Sequence, residues 1–190
     1  MIIIGRRGAA GLGPENTIEA CEAALSANVD MIHIDVRVTR DKIPVLLHDS
    51  TLKRTHGIDK SISSLTYNEL KNLTGKQPLP TLSEILDRYM GKVLLCLELR
   101  GRGTAKAVIE CIKPRAKTSQ RQWDNILIAS FKATDLINVR RLEPKANLSL
   151  LHDNNPFSFI AYHRSLNLTA VGFHRLHTNR LAHEIAKRAG

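Results

Sequence analysis

Between Met31 and Thr39, polar and aliphatic side chains alternate. His33, Asp35 and Arg37 fall at every second position, and Ile32, Ile34, Val36 and Val38 fill the gaps. In a strand, a period of two puts the polar groups on one face and the aliphatics on the other. The run Val93–Leu99 repeats the pattern: Cys96, Glu98 and the following Arg100 share one face, opposite Leu95, Leu97 and Leu99. Asp35, Glu98 and His33 together read as a divalent-cation site. Two carboxylates supply hard oxygen donors that suit Mg²⁺, Ca²⁺ or Mn²⁺, and an imidazole tilts the preference toward Mn²⁺ or another transition ion. The same acids read equally well as buried ion pairs with Arg37, Arg100 or Arg6, and spacing does not separate the two readings.

His48, followed by Asp49, is a candidate general acid or base because imidazole titrates near neutrality. An ordinary loop histidine fits the dipeptide as well. Arg6, Arg7 and Arg100 are candidates to hold a phosphate through forked, charged hydrogen bonds. Gly8, Gly11 and Gly13 make a glycine-rich turn that lacks both the dinucleotide spacing and the Lys-Ser/Thr of a P-loop. The helix expected near Asn16 still offers a positive N-terminal end. His152, His163, His174 and His177 form a looser set with no partner motif.

These residues need a scaffold. Strand-length apolar runs fall at Met1–Ile4, Met31–Thr39, Pro44–Leu47, Val93–Leu99, Ile126–Ser130, Asn147–Leu151 and Thr169–Phe173. Helical patterns separate most of them, at Asn16–Asn28, Leu82–Tyr89, Thr104–Pro114, Ala133–Leu142, Phe157–Leu166 and Asn179–Ala189. This alternation predicts an α/β fold with a parallel sheet, open or closed. The polar residues then gather at the C-terminal ends of the first strands, where such folds carry their sites. The stretch Asp49 to Pro80, with Gly57, Ser61, Ser63, Ser64, Gly75, Pro78 and Pro80, reads as an excursion rather than a plain crossover.

The 190 residues carry 28 Lys and Arg against 18 Asp and Glu, a net charge of +10, with 43% hydrophobic residues. That composition excludes a disordered or collagen-like chain and suits one globular domain over 1–190. The basic residues are scattered from Arg6 to Arg188 and aromatics are only 4%, which weighs against nucleic acid as a partner. No apolar run approaches the roughly 20 residues of a membrane helix, and the N-terminus does not read as a signal peptide. The odd set Cys21, Cys96 and Cys111 suits buried free thiols in a reducing compartment, so a cytoplasmic location is expected.

An ordered series of short motifs resembles the glycerophosphodiester phosphodiesterase family. It runs Gly5-Arg6-Arg7-Gly8, Pro14-Glu15-Asn16-Thr17, His33-Ile34-Asp35-Val36, Thr39-Arg40-Asp41, Val45-Leu46-Leu47-His48-Asp49 and Leu52-Lys53-Arg54-Thr55. It continues with Leu79-Pro80-Thr81-Leu82-Ser83-Glu84, Leu97-Glu98-Leu99-Arg100 and Ala129-Ser130-Phe131. The resemblance implies a (β/α)8 barrel of the TIM type with a small insertion at about 50–80. It implies metal-dependent cleavage of glycerophosphodiesters to glycerol 3-phosphate and an alcohol. Asp35 and Glu98 would be metal ligands, with His33 beside them, His48 a catalytic histidine and Arg7 a phosphate-side arginine. Because the family's last strand follows the motif matching Ala186–Gly190, an incomplete barrel of about seven strands is expected, with self-association into a homo-oligomer as one way to close it.

Three positions depart from the family pattern. Arg6 stands where it has a catalytic histidine, and arginine does not give up its proton. His33 replaces a metal-binding glutamate, and Arg100 replaces a lysine. The Arg6 and His33 exchanges are expected to weaken divalent-cation binding and to favour phosphate, while Arg100 keeps the lysine's charge and changes its shape. The alternative to an active enzyme is therefore a catalytically impaired relative that binds phosphate or phosphodiesters.

Overall fold

The structure, a computed structural model, describes residues 2–116, 121–152, 159–173 and 180–189. Among these, seven strands form one sheet: β1 (Ile4–Arg6), β2 (Met31–Val38), β3 (Pro44–Leu46), β4 (Leu94–Leu99), β5 (Ile126–Ser130), β6 (Asn147–His152) and β7 (Ala170–Phe173). The helices are α1 (Ile18–Ser26), α2 (Lys53–His56), α3 (Tyr67–Thr74), α4 (Leu82–Tyr89), α5 (Thr104–Ile112), α6 (Arg121–Asp124), α7 (Ala133–Leu142), α8 (Ile160–Leu166) and α9 (Arg180–Ala189). The main path runs β1-β2-β4-β5-β6-β7, with every neighbour parallel. The result is a curled α/β half-barrel with helices outside.

Pro44–Leu47, expected as a third parallel strand, corrects that expectation. β3 runs antiparallel to β2 and lies off the main path. A parallel return needs a crossover of a dozen or more residues, and Thr39–Ile43 is far too short for one. The connection is a hairpin instead. Thr39 Oγ1 accepts the Ile43 N–H at 3.0 Å, and Lys42 takes the left-handed conformation at φ 66°. A second difference concerns β1, which begins at Ile4 rather than at the N-terminus because its pairing starts where Ile4 meets Met31. Ile2, Ile3 and Ile4 are exposed.

The aliphatic face of the alternation is the one covered by helices. Ile32, Ile34 and Val36 of β2 and Leu95, Leu97 and Leu99 of β4 join Leu82, Ile85, Val108, Ile109, Leu136 and Val139 in one buried core. Each fully buried aliphatic side chain contributes about 2 kcal/mol. Thr17 caps α1 by accepting the Ala20 N–H at 3.1 Å, and Thr81 with Glu84 forms a reciprocal capping box on α4. Gly8, at φ 80°, lets the β1–α1 turn press onto α1: a Cβ there would lie 2.6 Å from the Ala20 Cβ.

The opposite face of the sheet carries Met31, Cys96 and Ala129 as a small apolar floor. The polar positions lie above it, toward the strands' C-terminal ends. The excursion between β3 and α4 has its own core of Val45, Leu47, Leu52, Ile62, Leu65, Leu70 and Leu79. It is thus a folded rim beside the site rather than a loose loop. Among the described residues, no helix is long and apolar enough to cross a membrane.

Candidate active site

In the parallel register of β2 and β4, Asp35 lies directly opposite Glu98. Paired residues share a face, so the two carboxylates stand side by side, with His33 one pleat below. One ligand atom from each of His33, Asp35 and Glu98 lies within 4.8 Å of the others. An imidazole nitrogen and two anionic oxygens at that separation form a group that could hold a metal ion.

Asp35 is 0% and Glu98 3% exposed. Burying a charged group costs several kcal/mol unless partners compensate, and here they do. Arg100 Nε donates to Asp35 Oδ1 at 2.6 Å, and Arg100 Nη2 lies 2.6 Å from Glu98 Oε1, an ion pair short of hydrogen-bond alignment. Asn16 Nδ2 donates to Asp35 Oδ2 at 3.0 Å, while Asn16 Oδ1 accepts the Asp35 N–H, also at 3.0 Å. Arg7 Nε lies 3.5 Å from Asp35 Oδ2. Burial by itself raises the Asp35 pKa. The Asn16 hydrogen bond and the charges of His33 and Arg100 outweigh it, so the carboxyl sits below its ordinary value.

His33 is held at both nitrogens. The Arg7 N–H donates to Nδ1 at 3.4 Å, and Nε2 lies 3.0 Å from Glu98 Oε2. With Nδ1 accepting, the neutral form of the ring would carry its proton on Nε2, facing Glu98. The acids are ion-paired, with Arg7 and Arg100 rather than with Arg37 or Arg6, and together with His33 they make a group that could hold a metal ion.

A second polar string starts at His48. Its Nδ1 lies 2.7 Å from Asp49 Oδ1, and Asp49 Oδ2 accepts from Arg54 Nε at 2.6 Å. Arg54 Nη1 donates to Glu15 Oε2 at 2.9 Å, and that oxygen also takes Arg7 Nη1 at 3.1 Å. His48 is thus tied through Asp49, Arg54, Glu15 and Arg7 to the Asp35 cluster. Arg37 fixes the backbone at this point, donating from Nε and Nη2 to the His48 carbonyl at 2.9 and 2.7 Å.

The hydrogen bond from Arg54, then the one from His48, draws the Asp49 pKa down to about 2. A depressed carboxyl stabilises the fold above its ordinary value and loses that contribution as pH falls through the depressed one. Arg54→Ala should return Asp49 toward its ordinary 3.8. The check is a carbon-detected NMR titration of the Asp49 carboxyl, and a curve that stays near the wild-type midpoint would remove Arg54 as the cause.

Of the expected residues, His33, Asp35, Glu98, Arg7 and Arg100 converge, and His48 joins them through the string just described. Arg6 lies beside His33 in register on the same face. It is exposed and makes no ion pair among the described residues. His152 instead sits among rings, its centroid 6.4 Å from those of Phe159 and Phe173. His163 lies on α8, and His174 and His177 lie outside the described residues. Asn16, Glu15, Arg37 and Arg54 were not expected as site residues. Asn16 and Glu15 stand in a motif read as a helix start and as part of the resemblance, with no role given to either side chain, and Arg54 lies 39 residues from its partner Glu15.

The family model described as "Glycerophosphoryl diester phosphodiesterase family" matches residues 7–170. The chain belongs to this family. Its members are phosphoric diester hydrolases. The chain is 30% identical over 193 residues to YhdW of Bacillus subtilis (strain 168), covering 93% of this chain and 79% of the relative. It is 26% identical to the glycerophosphodiester phosphodiesterase of Caldanaerobacter subterraneus subsp. tengcongensis, covering 94% of this chain and 76% of that one. Among solved structures, an Oleispira antarctica phosphodiesterase in complex with the product sn-glycerol-3-phosphate superposes with TM-score 0.84 at 26% identity, over 100% of this chain and 81% of that chain. The glycerophosphodiester phosphodiesterase of Thermotoga maritima superposes with TM-score 0.76 at 26% identity, over 91% and 74% of the two chains. Membership in the glycerophosphoryl diester phosphodiesterase family agrees with the fold and with the ligand group on β2 and β4.

Proposed function

We propose that this chain hydrolyses glycerophosphodiesters to glycerol 3-phosphate and an alcohol, using Mg²⁺, Ca²⁺ or Mn²⁺ held by His33, Asp35 and Glu98. The observation that carries the reading is the in-register pair Asp35 and Glu98, faced by Arg7 and Arg100 and linked to His48. The family's activity and the product bound to the Oleispira antarctica relative support the substrate class.

A cation bound there supplies Lewis-acid stabilisation of charge on the phosphoryl oxygens. Arg7 and Arg100 present guanidinium groups whose forked geometry matches a phosphate. Asp49 accepts the Nδ1–H of His48, so that the doubly protonated ring gives its Nε2 proton to the departing alcohol as water or the substrate's 2-hydroxyl forms the new bond to phosphorus. A cavity of about 560 Å³, bounded by Glu15, Arg54, Ile18, Leu47 and Pro80, adjoins this string and has the size of a small-molecule site. It is space for the alcohol substituent.

Arg6 contributes positive potential and no base. One specific observation, Arg6 exposed beside His33, favours a second reading: a relative that binds the phosphodiester and turns it over poorly. The test is glycerol 3-phosphate release with each cation and with chelator, for the natural chain and for Arg6→His. Chelator-sensitive release is expected from the natural chain. Arg6→His should raise turnover by about a hundredfold, the low end of what a positioned base supplies. Folded protein that binds glycerol 3-phosphate but releases none from a diester, in either form, would leave the binding reading in place of hydrolysis.

A further inference from the structure

We propose that Arg100 is a resident cation: its guanidinium holds the place between Asp35 and Glu98, and it yields that place when a phosphate-bearing ligand arrives, so that anion and divalent cation bind cooperatively. The inference rests on the reading of His33, Asp35 and Glu98 as a cation site.

All four carboxylate oxygens of the centre already face a donor. Asp35 Oδ2 faces Asn16 and Arg7, and Glu98 Oε2 faces His33. The other two, Asp35 Oδ1 and Glu98 Oε1, belong to one side chain, Arg100, at 2.6 Å each. A single guanidinium thus bridges two of the three residues that would hold a divalent ion, and its charge competes with one there. Two like charges exclude one another at that distance.

Arg100 is also freer to leave than Asn16 or His33. Asn16 is fully buried and tied to Asp35 by two hydrogen bonds. His33 is held at both ring nitrogens. Arg100 lies just past the end of β4, its backbone N–H fixed to the Val36 carbonyl at 2.9 Å, and its side chain is 19% exposed. Gly101 follows at φ 99°. A phosphate offers the guanidinium a bidentate partner in exchange for the two carboxylates. A lysine would present one point charge and would not span both acids in this way. The bridge therefore follows from the arginine that this chain carries.

Coupling of this kind is reciprocal: each ligand raises the other's affinity by the same factor. The test is calorimetric binding of Mn²⁺ to the full chain with and without saturating sn-glycerol 3-phosphate, and the reverse titration. In the wild type, each should tighten the other by about tenfold or more. Direct contact between phosphate and metal would also couple them, so the variants decide. Arg100→Gln, which removes the rival charge, should bind Mn²⁺ about tenfold tighter than wild type with no phosphate present. Arg100→Lys, which keeps the charge but not the span, should fall between the two and covers the case in which Arg100→Gln does not fold. Folded variants that bind Mn²⁺ no tighter than wild type overturn the proposal. So does a wild type whose Mn²⁺ affinity is indifferent to the phosphate, or one that binds no Mn²⁺ under either condition. Cooperative binding without diester cleavage would sustain Arg100's role and remove the hydrolytic reading. Cleavage without coupling would do the reverse.

Discussion

His48→Ala lowers the rate of glycerol 3-phosphate release by at least about a hundredfold, the range of a positioned general acid being about 10²–10⁴. The fold survives the change, because the His48 side chain is partly exposed and its ring pairs, among the described residues, with Asp49. The backbone there is anchored independently, through Arg37 on the His48 carbonyl. The loss should fall on kcat, since Arg7 and Arg100, proposed to hold the phosphate, remain. A diester with a nitrophenol leaving group separates a proton donor from a merely structural histidine. Nitrophenolate departs without protonation, so most of the loss should disappear with that substrate. Equal loss with both substrates would remove the acid role from His48, and undiminished release from the natural substrate would remove His48 from the chemistry.

The parts of this site that were legible in the sequence are those governed by strand periodicity. His33, Asp35, Glu98 and Arg100 sit at alternate positions, and a period of two needs no tertiary information to put them on one face. Facing does not give register, however. That Asp35 meets Glu98 rather than Cys96 depends on how far β4 slides along β2. The antiparallel course of β3 was legible in principle, because five residues do not make a crossover. The signal was masked because the left-handed position in the hairpin is Lys42 rather than glycine.

Arg6 and Arg7 show a different limit. As neighbours they read as one clamp. In the structure Arg7 takes φ 56°, which ends the alternation and turns its side chain toward Asp35 and Glu15, while Arg6 stays on the face beside His33. Asn16 is hidden for the same reason. Its φ of 57° and its burial are products of the turn, and neither the helix start nor the motif it belongs to says where its side chain goes. Arg54 and Glu15 meet only because the excursion folds back over the β1–α1 turn, and no local pattern encodes that meeting.

Asp35→Ala is expected to be the most damaging single change to the fold. The carboxylate is 0% exposed, and it is the common partner of Arg100, Asn16 and Arg7. Its removal leaves Arg100 with Glu98 alone and Arg7 with Glu15 alone. Breaking one side of a buried charge cluster costs about 3–5 kcal/mol. For a chain of this size that is a fall of about 10 °C in Tm. Asp35→Asn keeps the shape and an acceptor for Asn16 but not the charge, so it should fall between wild type and Asp35→Ala in stability. Both variants should lose cation binding. The pH dependence has a definite sign. The Asp35 pKa is lowered in the fold, so its contribution is fully present above the ordinary carboxylate value and is lost as pH falls through the lowered one. The gap in Tm between wild type and Asp35→Ala, read by circular dichroism, should therefore be widest near neutrality and close in acid. A gap independent of pH would mean that the lost packing of the side chain, rather than its charge, joins β2 to the β1–α1 turn. A Tm equal to wild type would mean that Arg7 and Arg100 find equivalent partners without it, and the cluster would then serve ligand binding while contributing nothing to the fold.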